Sequence, residues 1–315
     1  MKIAITGGSG FIGTRLIEVL TAQGHEIAIV DIVHDTPIDI LEQEKLNKSF
    51  EGCEAIYHLA AAHRDDVFPR SEYYRVNGQG TQNVIKAAEA NGIKRIIFTS
   101  TIAVYGLNRE EDPHEEMEPK PFNDYGHSKL EAESHLKEWA GQSTDRTATI
   151  VRPVVVFGER NRGNVHTLIE QIQRKRFLMI GNGQNKKSMA YVGNVADFLA
   201  YCLNEKTGTQ IYNYADKPDL TTNELSDVIH KSLGVKQAAV RMPYVIGLLA
   251  GYAFDVLARV TGKTLPISSV RIQKFCANTT SSADKYKNAG FAPRFTLAEG
   301  IERMIKYDFL ESNNK

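Results

Sequence analysis

Tyr125 and Lys129 stand four residues apart in the stretch YGHSK, so on a helix they share one face. A free phenol titrates at about pH 10 and is a poor base at neutral pH. A lysine cation held beside it favours the phenolate, and a phenol tuned in this way can take a proton from a hydroxyl and return it. None of the other tyrosines among the 13 in the chain has a lysine four residues on. The plain alternative is the solvated first turn of a surface helix, and the pair alone does not decide between the two. His127, between them, reads as a surface residue.

A second group lies at the start of the chain. TGGSGFIG places Gly7, Gly10 and Gly13 directly after a short apolar run, with Phe11 and Ile12 at the opening of a helix. Small residues let the backbone approach a pyrophosphate, and the free N–H groups of a helix start offer it positive partial charge. The spacing is GxxGxxG rather than the GxGxxG of standard dinucleotide folds. Asp31 follows at the end of the next apolar run. A carboxylate there accepts hydrogen bonds from the adenosine ribose and repels a 2′-phosphate, which favours NAD over NADP.

These residues need a frame. β-rich runs at 2–6, 26–31, 54–60, 95–101 and 147–153 alternate with helical patterns at 11–23, 73–91 and 124–140. Alternating β and α with continuously apolar strands predicts a parallel sheet covered on both faces, an α/β doubly wound architecture. The second half reads as helices at 165–175 and 222–233, a strand then helix at 189–203, and a strand at 211–215. No repeat or linker interrupts it, and the cleft between the two parts is the expected ligand site.

The chain resembles the extended short-chain dehydrogenase/reductases, the NAD-dependent epimerase/dehydratase group, through a series of motifs in order. TGGSGFIG is similar to TGxxGxxG, YHLAAA (57–62) to the HLAA segment, and RVNGQGTQNV to the NxxGTxNV helix. FTSTIAVYG (98–106) is similar to the SSxxVYG strand end, YGHSK to YxxxK, VRPVVVFG (151–158) to RPxxVYG and YVGNVADF (191–198) to YVDDVA. The resemblance implies a Rossmann-type NAD domain over about 1–160 with returns near 189–215, and a mainly substrate-binding domain over 161–315. It implies a nucleotide-sugar substrate and a homodimer. It places Tyr125, Lys129 and Thr101 in catalysis, with Lys129 on the nicotinamide ribose and Thr101 on the reacting oxygen; Ser100, adjacent, remains open for that role. Asp39 and Ile40 would hold the adenine, and Leu59, Ala60, Ala61, Asn77, Ser100 and Pro153 would line the cofactor. Asn164, Lys187 and Arg271 would face the sugar diphosphate.

Departures from the family pattern sharpen the reaction. Ile102 and Ala103 follow Thr101 where dehydratases carry Asp-Glu, so elimination ranks low. Epimerisation through a keto-sugar stands first and 4-keto-sugar reduction second. Val154 replaces the asparagine that usually follows RP. A non-catalytic NAD(P) sensor is the competing class, but such proteins lack the Tyr–Lys pair.

A net charge of zero and a pI of 7.1 give nucleic acid no basic surface to bind. Cys53, Cys202 and Cys276 are widely separated, which predicts neither a metal site nor disulfides. MKIAITGGSGFIG is not a signal peptide, and a cytoplasmic setting is expected. The longest uncharged apolar stretch, 242–254, is short of the roughly 20 residues a membrane span needs. It reads first as a buried helix or a lid over a pocket. The sharper reading is a contact with a membrane surface or lipid-like substrate, and the apolar stretch from 242 to 257 also resembles the sterol-dehydrogenase branch.

Overall fold

The computed structural model describes residues 1–64, 66–106, 112–236, 241–261 and 268–311. The chain divides into two compact units. Unit 1 is Met1–Val156, Ala190–Asp216 and Ser281–Phe295; unit 2 is Phe157–Met189, Lys217–Thr280 and Thr296–Lys315.

Unit 1 is built on six parallel strands: β1 Lys2–Thr6, β2 Glu26–Val30, β3 Ala55–His58, β4 Arg95–Thr99, β5 Thr147–Pro153 and β6 Gly208–Tyr214. Their order is β2-β1-β3-β4-β5-β6. The chain leaves β1 toward one edge and later returns on its other side at β3, so the loops after β1 and β3 part there and open the crevice where such sheets bind ligands. Two apolar layers cover the sheet. One holds Leu16 and Leu20 of helix Phe11–Ala22 with Val195 and Phe198 of helix Val192–Tyr201. The other holds Val84 and Ala87 of helix Gly80–Ala90 with Leu136 and Trp139 of helix Asp124–Gly141. This is a Rossmann-type α/β fold.

Ser281–Phe295 joins unit 1 although it lies far along the chain. Tyr286 is fully buried, donates its hydroxyl to the Ala215 carbonyl at 2.7 Å, and stacks on Tyr214 at 4.9 Å between ring centroids. Phe198 and Phe291 complete that aromatic cluster.

Two local departures matter for the site. The helix expected at 73–91 begins at Ser71 and passes through a π-turn, Tyr74–Gln79, before the regular helix Gly80–Ala90. The expected strand 95–101 ends at Thr99; Ser100 and Thr101 lie beyond it, and Thr101 caps a 3-10 turn, Ile102–Tyr105.

In unit 2, helix Leu297–Ile305 packs on helix Thr222–Leu233, and each starts with a reciprocal Thr–Glu cap, Thr296 with Glu299 and Thr221 with Glu224. Arg241–Met242 pairs in parallel with Met179–Ile180, and helix Tyr244–Thr261 follows. The structure corrects the buried-helix reading of 242–254. Only Gly247 and Gly251 of this helix are buried. Leu249 is 64% exposed and Val260 79%. The helix also runs beyond Asp255 to Thr261, and by length and composition it is long and apolar enough to cross a membrane.

Candidate active site

The glycine loop is shaped by contacts that exclude side chains. Gly7 has φ +72°, a region L residues rarely adopt, and a Cβ there would stand 2.6 Å from the Ala60 nitrogen. A Cβ on Gly13 would stand 2.4 Å from the Gly7 carbonyl oxygen. Gly10 caps helix Phe11–Ala22 with no side-chain hydrogen bond, so the first N–H groups remain for an anion. Phe11 and Ile12 form the first turn. Asp31 lies just past β2, and its carboxylate accepts the Ser9 N–H at 3.0 Å and the Val33 N–H at 3.1 Å. The acid therefore sits at the side of the loop.

Asp39 and Ile40 stand beyond Asp31. Asp39 accepts the Leu41 N–H at 3.0 Å. Ile40 turns its side chain into the core against Gly80, and its carbonyl accepts from Asn83 at 3.0 Å. What it can offer an adenine is backbone. Leu59, Ala60 and Ala61 leave the end of β3, tied to β1 by Leu59 N–H to Thr6 O (2.9 Å) and Ala60 N–H to Thr6 Oγ1 (3.3 Å).

Asn77 has a different position from that of a residue lining an open site. It is 1% exposed. Its carbonyl oxygen accepts from Ala62 N–H at 2.8 Å, and its amide donates to Ala62 O at 3.0 Å and to Ser128 Oγ at 2.9 Å. The carboxamide thus fastens the post-β3 segment to the Tyr125 helix, and the π-turn aims it inward.

Helix Asp124–Gly141 starts from Asn123, whose side chain accepts the Gly126 N–H at 2.9 Å. Tyr125 is half-buried, its ring 6.2 Å from that of Tyr73. Lys129, one turn on, is 1% exposed, with Nζ 3.9 Å above the centre of the Phe98 ring. Burial pushes its ammonium down to about 7, against the pull of Glu133. His58, below, is held neutral: burial, then Lys129, lowers it to about 3. Its two ring nitrogens bond Thr6 and Thr81 at 2.7 and 2.9 Å.

The strand end distinguishes Ser100 from Thr101. The Ser100 hydroxyl is buried and donates to Glu133 at 2.6 Å. Thr101 is half-buried, and its oxygen accepts the Ala103 N–H at 3.2 Å, which leaves its own proton to give. Pro153 ends β5 with its ring buried.

The sequence reading did not include the pair below. Glu133 and Arg152 are both fully buried, bonded through Nε at 2.8 Å and Nη2 at 2.5 Å, and Arg152 also donates to Tyr105. Lys129 and Glu133 are i, i+4 on one helix. That spacing was the available signal.

The residues expected on the substrate side lie in unit 2. Asn164 is exposed at the first position of helix Asn164–Gln173. Lys187, expected toward a diphosphate, instead donates to the carbonyls of Lys274 (2.8 Å) and Ala277 (2.6 Å) at the end of helix Ser269–Cys276. Burial lowers it to about 8. Arg271 is exposed in the first turn of that helix. A cavity of about 800 Å³ in the same unit is lined by Ile180, Asn185, Arg241, Tyr244, Gln273 and Cys276.

Comparison with known proteins agrees with this fold. An N-acetyl-alpha-D-glucosaminyl-diphospho-ditrans,octacis-undecaprenol 4-epimerase of Escherichia coli O157:H7 is 45% identical over 99% of this chain and 96% of its own. A UDP-glucose 4-epimerase of Vibrio cholerae is 29% identical over 100% and 97%. Among solved structures, the UDP-glucose 4-epimerase of Thermotoga maritima with UDP-glucose superposes with a TM-score of 0.78 at 21% identity, covering 100% of both chains. The Thermus thermophilus UDP-glucose 4-epimerase with NAD gives 0.74 at 23%, covering 98% of each. The NAD dependent epimerase/dehydratase family matches residues 3–215, and the chain belongs to that family of NAD(P)-dependent enzymes.

Proposed function

We propose that the protein is an NAD-dependent 4-epimerase acting on a hexose held through a diphosphate, with a polyprenyl chain rather than a nucleoside as the carrier. The observation that carries the chemistry is Lys129: a buried ammonium one turn from Tyr125 that donates no hydrogen bond to a described residue. A buried cation without an acceptor is costly, and the ribose hydroxyls of a bound nicotinamide nucleotide fit that place. The carrier is taken from the Escherichia coli relative, whose printed substrate is undecaprenol-linked and whose identity extends over the whole chain.

The donor set fits NAD. Gly7 and Gly13 let the loop close tightly on Ala60 and on itself, the uncapped helix start supplies N–H groups for a pyrophosphate, and Asp31 repels a 2′-phosphate. NAD, when bound, supplies the hydride acceptor and donor. Tyr125, as phenolate, takes the proton of the sugar hydroxyl while Thr101 donates a hydrogen bond to the same oxygen. The hydroxyl becomes a ketone, and Tyr125 returns the proton when the opposite face is reduced. Lys129 as a cation holds Tyr125 toward its phenolate.

The test uses purified protein with catalytic NAD and either a polyprenyl-diphospho-N-acetylhexosamine or a UDP-N-acetylhexosamine, followed by NMR. The 4-epimer of the polyprenyl substrate, formed without added NADH, is expected. Turnover of the UDP-sugar alone would return the assignment to a nucleotide-sugar epimerase. Stoichiometric consumption of NADH by a keto-sugar would make it a reductase.

A further inference from the structure

Helix Tyr244–Thr261 is amphipathic the wrong way round for a helix in water. Its glycines face the protein: a Cβ on Gly247 would stand 2.7 Å from the Ile180 side chain, and one on Gly251 would stand 2.8 Å from Ser269 Cα. Val245, Leu249, Tyr252, Val256 and Val260, at steps of four and three residues, form the opposite stripe, and all five are exposed. A continuous apolar stripe of this kind marks a surface that is covered in use.

The neighbouring charges say by what. Among the described residues from 241 to 276, Arg241, Arg259, Arg271 and Lys274 are exposed cations. The one acid, Asp255, accepts the Ser269 N–H and hydroxyl within the unit. This positive balance belongs to one stretch of a chain whose net charge is zero. Cations flanking an apolar stripe complement an anionic bilayer surface. A spanning role does not fit. The helix is about 27 Å long, but its glycine side is packed on Ile180, Ser269 and Ile272, so lipid cannot surround it.

We propose that helix Tyr244–Thr261 lies in the plane of an anionic membrane surface and docks the enzyme there, its Val245–Leu249–Val256–Val260 stripe buried at the acyl boundary. The inference deepens the function proposed above, since a polyprenyl carrier resides in the bilayer and a catalyst must meet it there. Tyr244, at the start of the helix, also lines the 800 Å³ cavity with Arg241, so that cavity lies at one end of the docked helix.

The test is flotation of the full chain with vesicles of phosphatidylcholine, with and without phosphatidylglycerol and with no substrate present. The result is therefore independent of the epimerase assay. Wild type is expected to float with the anionic vesicles, less so as salt rises. Leu249→Glu with Val256→Glu should lower partitioning by at least about tenfold while leaving Tm and NAD binding unchanged. Leu249→Trp should shift its emission to the blue on vesicle addition, against the constant background of the buried Trp139. Wild type remaining in solution at low salt, the double variant floating like wild type, or an unshifted Trp emission would each overturn the proposal. So would a wild-type dimer that the double variant splits without changing vesicle binding, because the stripe would then cover a second copy.

Discussion

At the scale of single residues, the proposed chemistry rests on groups whose positions are local in sequence. Tyr125 and Lys129 share a helix face by spacing alone, and Gly7, Gly13 and Asp31 flank one strand–helix step; all were legible before any fold. Tyr125→Phe should lower turnover about 10²–10⁴-fold with NAD affinity kept, read by steady-state kinetics beside cofactor titration. Thr101→Val should cost about 10²-fold in kcat, whereas Ser100→Ala should act chiefly on stability, because its hydroxyl serves Glu133. The buried ammonium gives a pH test. Lys129 sits near 7 when folded and near about 10.4 in an unfolded chain. Between those values the unfolded state binds more protons, so stability from this group rises with pH across that window, and the cost of burying the cation is full below it. Lys129→Met removes that cost while Arg152 still pairs Glu133. The cofactor-free variant should therefore melt above wild type at about pH 6, with the margin shrinking toward about pH 10. An equal margin at both would refute the assignment. Lys187 meets carbonyls 87 and 90 residues away, contacts which no local pattern reveals.

Elements determine how firmly those groups are held. The Tyr125 helix presents Tyr125, Lys129 and Glu133 at successive turns, and Glu133 joins β5 through Arg152 and the β4 end through Ser100. A helix pattern predicts the shared face but not the strand partner, so the pair beneath the site stayed unread. Truncating Glu133→Ala would leave Arg152 buried and unpaired. That should cost about 3–5 kcal/mol in denaturant unfolding, and it should lower activity by displacing the Ser100–Thr101 segment rather than by removing a reacting group. The π-turn was likewise illegible, since Tyr73–Asn91 reads as regular helix; its evidence is the inward Asn77, which ties two elements to the post-β3 segment. Gly7→Ala tests the loop. A positive φ and a 2.6 Å clash with Ala60 should destabilise by about 1–3 kcal/mol and weaken NAD binding together, measurable as a lower Tm and a smaller NAD-induced rise in Tm.

For the molecule as a whole, the strand–helix alternation announced the parallel sheet, while the allotment of chain between the two units was less visible. Nothing in the composition of residues 281–295 distinguishes them from their surroundings, yet Tyr286 and Phe291 close an aromatic cluster on β6. The apolar helix was found by hydropathy, but the direction it faces was not, because orientation depends on which residues the rest of unit 2 buries, and here those are two glycines. The placement of Ser281–Phe295 also has a consequence for how the protein is made. A chain emerging from the ribosome can pair β1 to β5 early, but β6 arrives only after Phe157–Met189 has passed, and the piece that seals its aromatic face comes only after Lys217–Thr280. Unit 1 therefore cannot mature as an independent N-terminal domain during synthesis. A nascent chain arrested at Thr280 should remain protease-sensitive around Phe198 and Tyr214, and it should become resistant only when about 15 further residues have cleared the exit tunnel.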